Sequence, residues 1–253
     1  MEPLKFLRIT TTGGVAVACL HRGKVNAIDP EVVAEFHTGL DALMADPAVR
    51  AIVLTGEGKF FSFGLDVPAL FPLSRAECGA FLTAFTALYA KIHACPKPVV
   101  AAVNGHAIAG GCMLAIACDA RLMVPGNAKI ALNEVTFGSS VFAGSVAILT
   151  ALVGGRHAEH ILRSGALYDA EAATVMGLVD RVVPSESLLA EAAAEAGGLA
   201  GPDPGAYGAL RRLVRGPVRE RIEAREAGSI EEFLDLWYSP ATREQLKRIE
   251  IRA

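Results

Sequence analysis

The chain of 253 residues has one tryptophan, no Cys-x-x-Cys pair and no block of like charges. It also lacks the Gly-x4-Gly-Lys-Ser/Thr loop of nucleotide triphosphatases, a Gly-x-Gly-x-x-Gly turn after its first strand and a Gly-x-Ser-x-Gly elbow. P-loop ATP chemistry, Rossmann dinucleotide binding and α/β-hydrolase chemistry therefore lose their sequence support. Five cysteines at irregular spacing (Cys19, Cys78, Cys95, Cys112 and Cys118) form no disulfide framework and read as reduced thiols of a cytoplasmic protein. Residues Met1–Thr12 carry no apolar signal core, so export is not expected. A net charge of −3 with both signs interspersed gives no argument for nucleic acid or an acidic membrane.

Long charge-free stretches are present: Val99–Cys118 over twenty positions and Val135–Val153 over nineteen. Either is long enough to span a bilayer. However, Asn104, Gly105, Gly110 and Gly111 interrupt the first, and Gly138, Ser139, Ser140 and Gly144 the second. Such residues punctuate rather than continue a helix. Each stretch is expected to be two buried elements around a turn, and no membrane association is expected.

Apolar, β-branched runs predict strands at Phe6–Ile9, Val15–Leu20, Ala51–Leu54, Val99–Val103, Leu122–Val124 and Val179–Val183. Asp29-Pro30 predicts a capped helix to about Met44, and Ser74 with Glu77 predicts a capping box opening a helix to about Ala94. The pattern is α/β up to about Ala158 and mostly helical afterwards. A division at 1–196 and 197–253 is expected, with a hinge over Gly197–Gly205. Trp237 and Tyr238 are candidates to anchor the helical tail, on this subunit's core or on a neighbour. His157 and His160, three apart on a helix, have no evident third ligand nearby, so no metal site is expected.

Two glycine-bearing loops follow predicted strands: Phe60-Phe61-Ser62-Phe63-Gly64-Leu65-Asp66 and Asn104-Gly105-His106-Ala107-Ile108-Ala109-Gly110-Gly111-Cys112. Gly110-Gly111 opens an apolar helix, where backbone N–H groups have no intrahelical partner and face the positive end of the dipole. Two such donors from separate loops would make an oxyanion hole. On spacing alone the same loops also read as tight turns with glycine for packing.

These segments carry a resemblance. Phe61–Asp66 resembles the F-S-A-G-x-D loop of the enoyl-CoA hydratase/isomerase (crotonase) superfamily. Lys97–Gly105, Gly110-Gly111-Cys112 and Cys118-Asp119 resemble its K-P-V-I-A-A-V-N-G, G-G-C and C-D blocks, and Asn26-Ala27 its N-A-L segment. The match runs from Phe6 to about Asp180 in the family's order. It implies a crotonase-like ββα spiral core with a C-terminal helical region used in oligomerisation, as a homotrimer or homohexamer. It implies an acyl-CoA thioester as ligand, with no separate cofactor. Carried over, the oxyanion donors fall on the amides of Phe63 and Gly110. Contacts to CoA fall on Lys24, Val25, Ala27, Phe61, Leu65 and Asp66. Phe63 departs from the family, which has a small residue there.

Hydratases of the family use two glutamates. The position of the first is Met113 here, which cannot transfer a proton. The second falls on Glu134, the one carboxylate between Asp119 and Glu159. A carboxylate in so apolar a stretch is expected to be desolvated and basic enough for proton abstraction; outside the resemblance it also reads as a surface-loop residue. One base with an oxyanion hole suits a Δ3,Δ2-enoyl-CoA isomerase. The alternatives are a hydratase that holds water through His106, Ser139 or Ser140, another crotonase reaction, or a non-catalytic acyl-CoA-binding subunit. Acyl-pocket walls are expected from Pro68–Leu82 and the C-terminal helices.

Overall fold

The computed structural model describes residues 4–201 and 203–249. Strands β1 (Leu7–Thr12) and β2 (Val15–Leu20) pair antiparallel across Gly13-Gly14. After β3 (Ala27–Ile28) comes helix α1 (Pro30–Ala45), which starts where expected because Asp29 accepts the Val32 N–H ahead of Pro30.

From there the chain winds in repeating turns. Each turn gives one strand to a large sheet and one to a small sheet. The first supplies β4 (Ala51–Gly56) and β5 (Phe60–Ser62), then β6 (Gly64–Leu65), the short α2 (Val67–Leu70) and α3 (Arg75–Ala94). Both halves of the Ser74/Glu77 capping box form, fixing the start of α3. The second supplies β7 (Val99–Val103), β8 (His106–Ile108) and α4 (Gly110–Ala117). The third supplies β9 (Ala120–Met123), β10 (Ile130–Ala131), a 3-10 turn over Glu134–Phe137 and α5 (Ala143–Ser164), which is interrupted at Gly154. The large sheet has the order β1-β2-β4-β7-β9, parallel after its first pair, and the small sheet the order β10-β8-β5, parallel throughout. β3 and β6 form a separate parallel pair.

Helix α6 (Ala170–Val175) leads to β11 (Arg181–Val182), which adds to the large sheet beside β9. The two charge-free stretches resolve as strand, turn, second strand and helix for the first and as turn and helix for the second. Every residue of α4 is buried, so the lack of charge reflects a core helix. Among the described residues no helix is long and apolar enough to cross a membrane.

The expected boundary at 196/197 falls inside a helix. Helix α7 (Leu188–Ala200) continues through Gly197-Gly198 and ends at Gly201, whose φ of 58° suits glycine. Packing overrides the weak helix propensity of the two glycines, because Ala192, Ala196 and Ala200 form one buried stripe. The last helices, α8 (Pro204–Trp237) and α9 (Pro240–Leu246), fold back onto the same chain. Trp237 is 2% exposed, and the Tyr238 hydroxyl donates to the Leu73 carbonyl at 2.7 Å.

α8 is held at two places along its length. Near its start, Arg211 and Arg215 both pair with Asp119. They also donate to the carbonyls of Ile92 and His93 at the end of α3, and to those of Ala117 and Cys118 at the end of α4. Cations at these ends satisfy carbonyls that have no intrahelical partner. Further along, α8 caps α5. Phe142 provides no side-chain cap, and instead the Ala143 N–H donates to Ser229 Oγ at 2.9 Å and the Gly144 N–H to Glu226 Oε2 at 2.6 Å. The Tyr89 hydroxyl donates to the other oxygen of Glu226. Burial raises the Glu226 carboxyl above its ordinary range and the Tyr89 phenol further still.

Candidate active site

The two glycine loops meet because neither carries a side chain at the contact. Gly64 has φ +94°, and a Cβ there would sit 2.7 Å from the Ile108 carbonyl oxygen and 2.9 Å from the Gly110 nitrogen. A Cβ on Gly111 would sit 2.3 Å from the Ser62 carbonyl oxygen. Real Cβ atoms do not tolerate such distances, so glycine is required at both. Two asparagine side chains, Asn26 buried and Asn104 half-buried, hold the loops from behind. Asn26 and Asn104 both donate from Nδ2 to the Phe60 carbonyl, at 2.8 Å and 3.4 Å. Asn26 is thus a clasp within the loop scaffold, not a residue facing a ligand.

Ala109 caps α4 with φ 50° and ψ −118°, a backbone region that alanine rarely enters. Its own N–H donates to Ala131 at 2.8 Å. Gly110 is the first residue of α4, and its N–H has no acceptor among the described residues. It lines a cavity of about 250 Å³.

The partner donor is not the expected one. The Phe63 N–H donates to the Val25 carbonyl at 2.9 Å, so it is spent within the loop. The cause lies in the pairing with β3. Asp66 N–H donates to the Ile28 carbonyl at 2.8 Å, and successive amides of a strand point to opposite sides. The N–H of Leu65 is therefore turned away from β3. Leu65 lines the same cavity as Gly110, with its side chain packed beside it.

Glu134 follows β10 at the head of the 3-10 turn and lines this cavity. It is 5% exposed, and its Oε2 has no hydrogen-bond partner. Burial pushes its carboxyl up to about 8, against a smaller lowering from its own backbone N–H. Among the described residues, the other lining side chains with a polar atom are Asn133 and Trp237, whose indole Nε1 has no partner. Met113 lies on the wall with 2% exposure, as an apolar surface where a second acid would stand. His106, Ser139 and Ser140 are not on the walls.

Among the six positions expected to contact CoA, only Leu65 lines the cavity. Ala27 and Phe61 are core residues, 1% and 4% exposed. Asp66 caps α2 and is paired with Arg22 at 2.6 Å, and the same arginine reaches Asp29 at 2.5 Å. Val25 is half-buried and offers its carbonyl to Phe63, while Lys24 is exposed. None of Pro68–Leu82 lines the cavity, contrary to expectation, although Val67 just before it does. The far wall does come from the C-terminal helices as expected, through Phe233 and Trp237 on α8, joined by Phe142 at the head of α5 and by Ile249 beyond α9. These residues carry no motif. A helical apolar spacing of four between Phe233 and Trp237 was the one available signal. His157 and His160 are both exposed on α5, and no metal-binding cluster occurs among the described residues.

Comparison with known proteins places this geometry in a family. The model of the family described as enoyl-CoA hydratase/isomerase matches residues 10–248. A putative enoyl-CoA hydratase of Thermus thermophilus is 40% identical over 186 residues, 72% of this chain and 73% of that protein. A crotonyl-CoA hydratase of Syntrophomonas wolfei is 37% identical over 179 residues, 70% of this chain and 68% of the relative. In three dimensions, the human mitochondrial Δ3,Δ2-enoyl-CoA isomerase superposes with a TM-score of 0.89 at 27% identity, over 96% of both chains. The glycine-to-glycine loop contact, the spiral of paired strands and these matches together show that the chain belongs to the enoyl-CoA hydratase/isomerase family.

Proposed function

We propose that the chain moves the double bond of a 3-enoyl-CoA to C2, with Glu134 as its single proton carrier. One observation carries the reading: a lone buried carboxylate, one oxygen of it without a partner, shares an apolar cavity with a free helix-start amide, and methionine occupies the position of a second acid. The thioester oxygen would accept from Gly110 N–H and Leu65 N–H. Ionised Glu134 would remove a proton from C2, giving a dienolate with its charge on that oxygen, and return the proton to C4. The atoms balance without water or a cofactor. CoA enters as part of the substrate.

The names of the relatives from Thermus thermophilus and Syntrophomonas wolfei favour hydration. That reaction needs a held water, and among the described wall residues only Asn133 and the Trp237 indole N–H stand with Glu134 to hold it.

The deciding experiment follows 3-enoyl-CoA and 2-enoyl-CoA in deuterated water, with wild type and Glu134→Gln. Conversion to 2-enoyl-CoA without 3-hydroxyacyl product, lost in the variant, is the expected result. Hydrated product would transfer the assignment to a hydratase. Binding of acyl-CoA with no turnover in wild type would leave a binding subunit.

A further inference from the structure

The far wall of the cavity is a stack of rings. Phe142 and Phe233 lie 4.8 Å apart at 33°, and Phe233 and Trp237 lie 5.7 Å apart at 22°. All three are buried, at 1%, 3% and 2% exposure. The stack is also fixed from behind. Phe142 immediately precedes Ala143 and Gly144, whose amides are clamped by Ser229 and Glu226 of the helix that carries the other two rings. The backbone that carries the Phe142 ring is thus tied to α8. Phe63 and Phe137 add two more rings to the walls.

Volume gives the second argument. The cavity measures about 250 Å³. An apolar protein cavity of about 150 Å³ takes up benzene. At the ~25 Å³ per carbon of that comparison, the remainder is room for about four more carbons. A sixteen-carbon chain on the same scale would need roughly one and a half times the space available. Aromatic faces and edges on several sides favour a planar guest through offset and edge-to-face contacts.

Resting on the reading that an acyl-CoA chain enters here, we propose that the pocket selects compact, ring-bearing acyl groups over long linear ones, with Phe142, Phe233 and Trp237 setting its length. Trp237 is the chain's one tryptophan, so its fluorescence reports occupancy of the wall directly. The test titrates the protein with butanoyl-, octanoyl-, hexadecanoyl- and 4-phenylbutanoyl-CoA. These saturated thioesters have no double bond to move, so they report on the pocket whatever Glu134 does. 4-Phenylbutanoyl-CoA is expected to bind at least about tenfold tighter than butanoyl-CoA, and hexadecanoyl-CoA no tighter than octanoyl-CoA. Phe142→Ala should improve hexadecanoyl-CoA binding about fivefold or more, and the milder Phe233→Leu should shift the order the same way if the first variant folds poorly. Affinity that climbs through hexadecanoyl in wild type, or a phenyl group worth no more than butanoyl, overturns the proposal. If none of the four binds, the acyl-CoA reading of the cavity itself falls, and the proposal with it.

Discussion

Two carboxylates, Asp119 half-buried and Glu134 buried, show how differently one chain can treat the same group. Asp119 is enclosed by partners: the guanidinium groups of Arg211 and Arg215, and the Val99 N–H at 2.7 Å. Glu134 is enclosed by rings and aliphatic carbon, and its Oε2 bonds to nothing. The first arrangement satisfies charge and ties α8 to the ends of α3 and α4. The second leaves the charge unsatisfied, which costs stability and raises basicity. A carboxylate with every lone pair used is a structural part, whereas one left unpaired beside a cavity is poised for proton transfer.

The largest effect that would sharpen this contrast is catalytic. Glu134→Gln keeps shape and burial but removes the base, and isomerisation should fall about 10²–10⁴-fold in a steady-state assay while acyl-CoA binding persists. In wild type, kcat/KM should rise about tenfold per pH unit and level off near pH 8, because only the ionised carboxylate abstracts a proton. A profile that is flat from pH 6 to 9 would break the assignment.

Next in size is the structural carboxylate. Asp119→Ala strands two largely buried arginines and should destabilise the fold by about 3–5 kcal/mol in urea unfolding, with the residual folded protein still active. Activity lost in proportion beyond the unfolded fraction would show that the two regions are not separable.

The third effect reverses the usual sign. Glu134 is protonated in the folded chain up to about pH 8 but ionises near 4.5 when unfolded. The folded state therefore holds the extra proton between those values, and stability declines as pH rises through that window. Glu134→Gln abolishes that decline, so at pH 8 the inactive variant should be more stable than wild type by about 1–3 kcal/mol, with little difference at pH 4.5. Equal melting curves at both pH values would contradict the buried carboxylate with its unpartnered oxygen. The smallest effect belongs to the cap lent by α8. Ser229→Ala removes the acceptor of the Ala143 N–H and should cost about 1 kcal/mol in the same unfolding assay.

Much of the scaffold was legible because its signals are local. Val15–Leu20 and Val99–Val103 alternate with turns, and Ser74 with Glu77 and Asp29 with Pro30 specify helix starts through contacts within one helical turn. Glu134 was legible as the one charge in an apolar stretch. What escaped depends on pairing across distance. Whether Phe63 or Leu65 presents its amide is decided by the register of β6 on β3 and by the positive φ of Gly64, neither of which leaves a mark in the side chains. The expected hinge over Gly197–Gly205 contains the break between α7 and α8 but begins early, because Gly197 and Gly198 look like breakers, yet the alanine stripe of α7 carries them through to Gly201. Pro217 sits inside α8 for a related reason: the arginine anchors before it and the aromatic wall after it hold the helix across the missing N–H. The walls of the cavity were legible only as far as the C-terminal helices, since Phe142, Phe233 and Ile249 are far apart in sequence and line one cavity only when α8 has docked.

That docking order has a consequence for synthesis. Gly110 and Glu134 leave the ribosome about a hundred residues before Phe233, Trp237 and Ile249, several seconds at typical elongation rates. A nascent chain can thus wind its spiral while the cleft beside Glu134 still lies open to water, and its carboxylate is then hydrated and no more basic than an ordinary one. The site acquires its chemistry only when the final helix closes over it, so a chain cut short before α8 would carry every motif of the family and no catalyst.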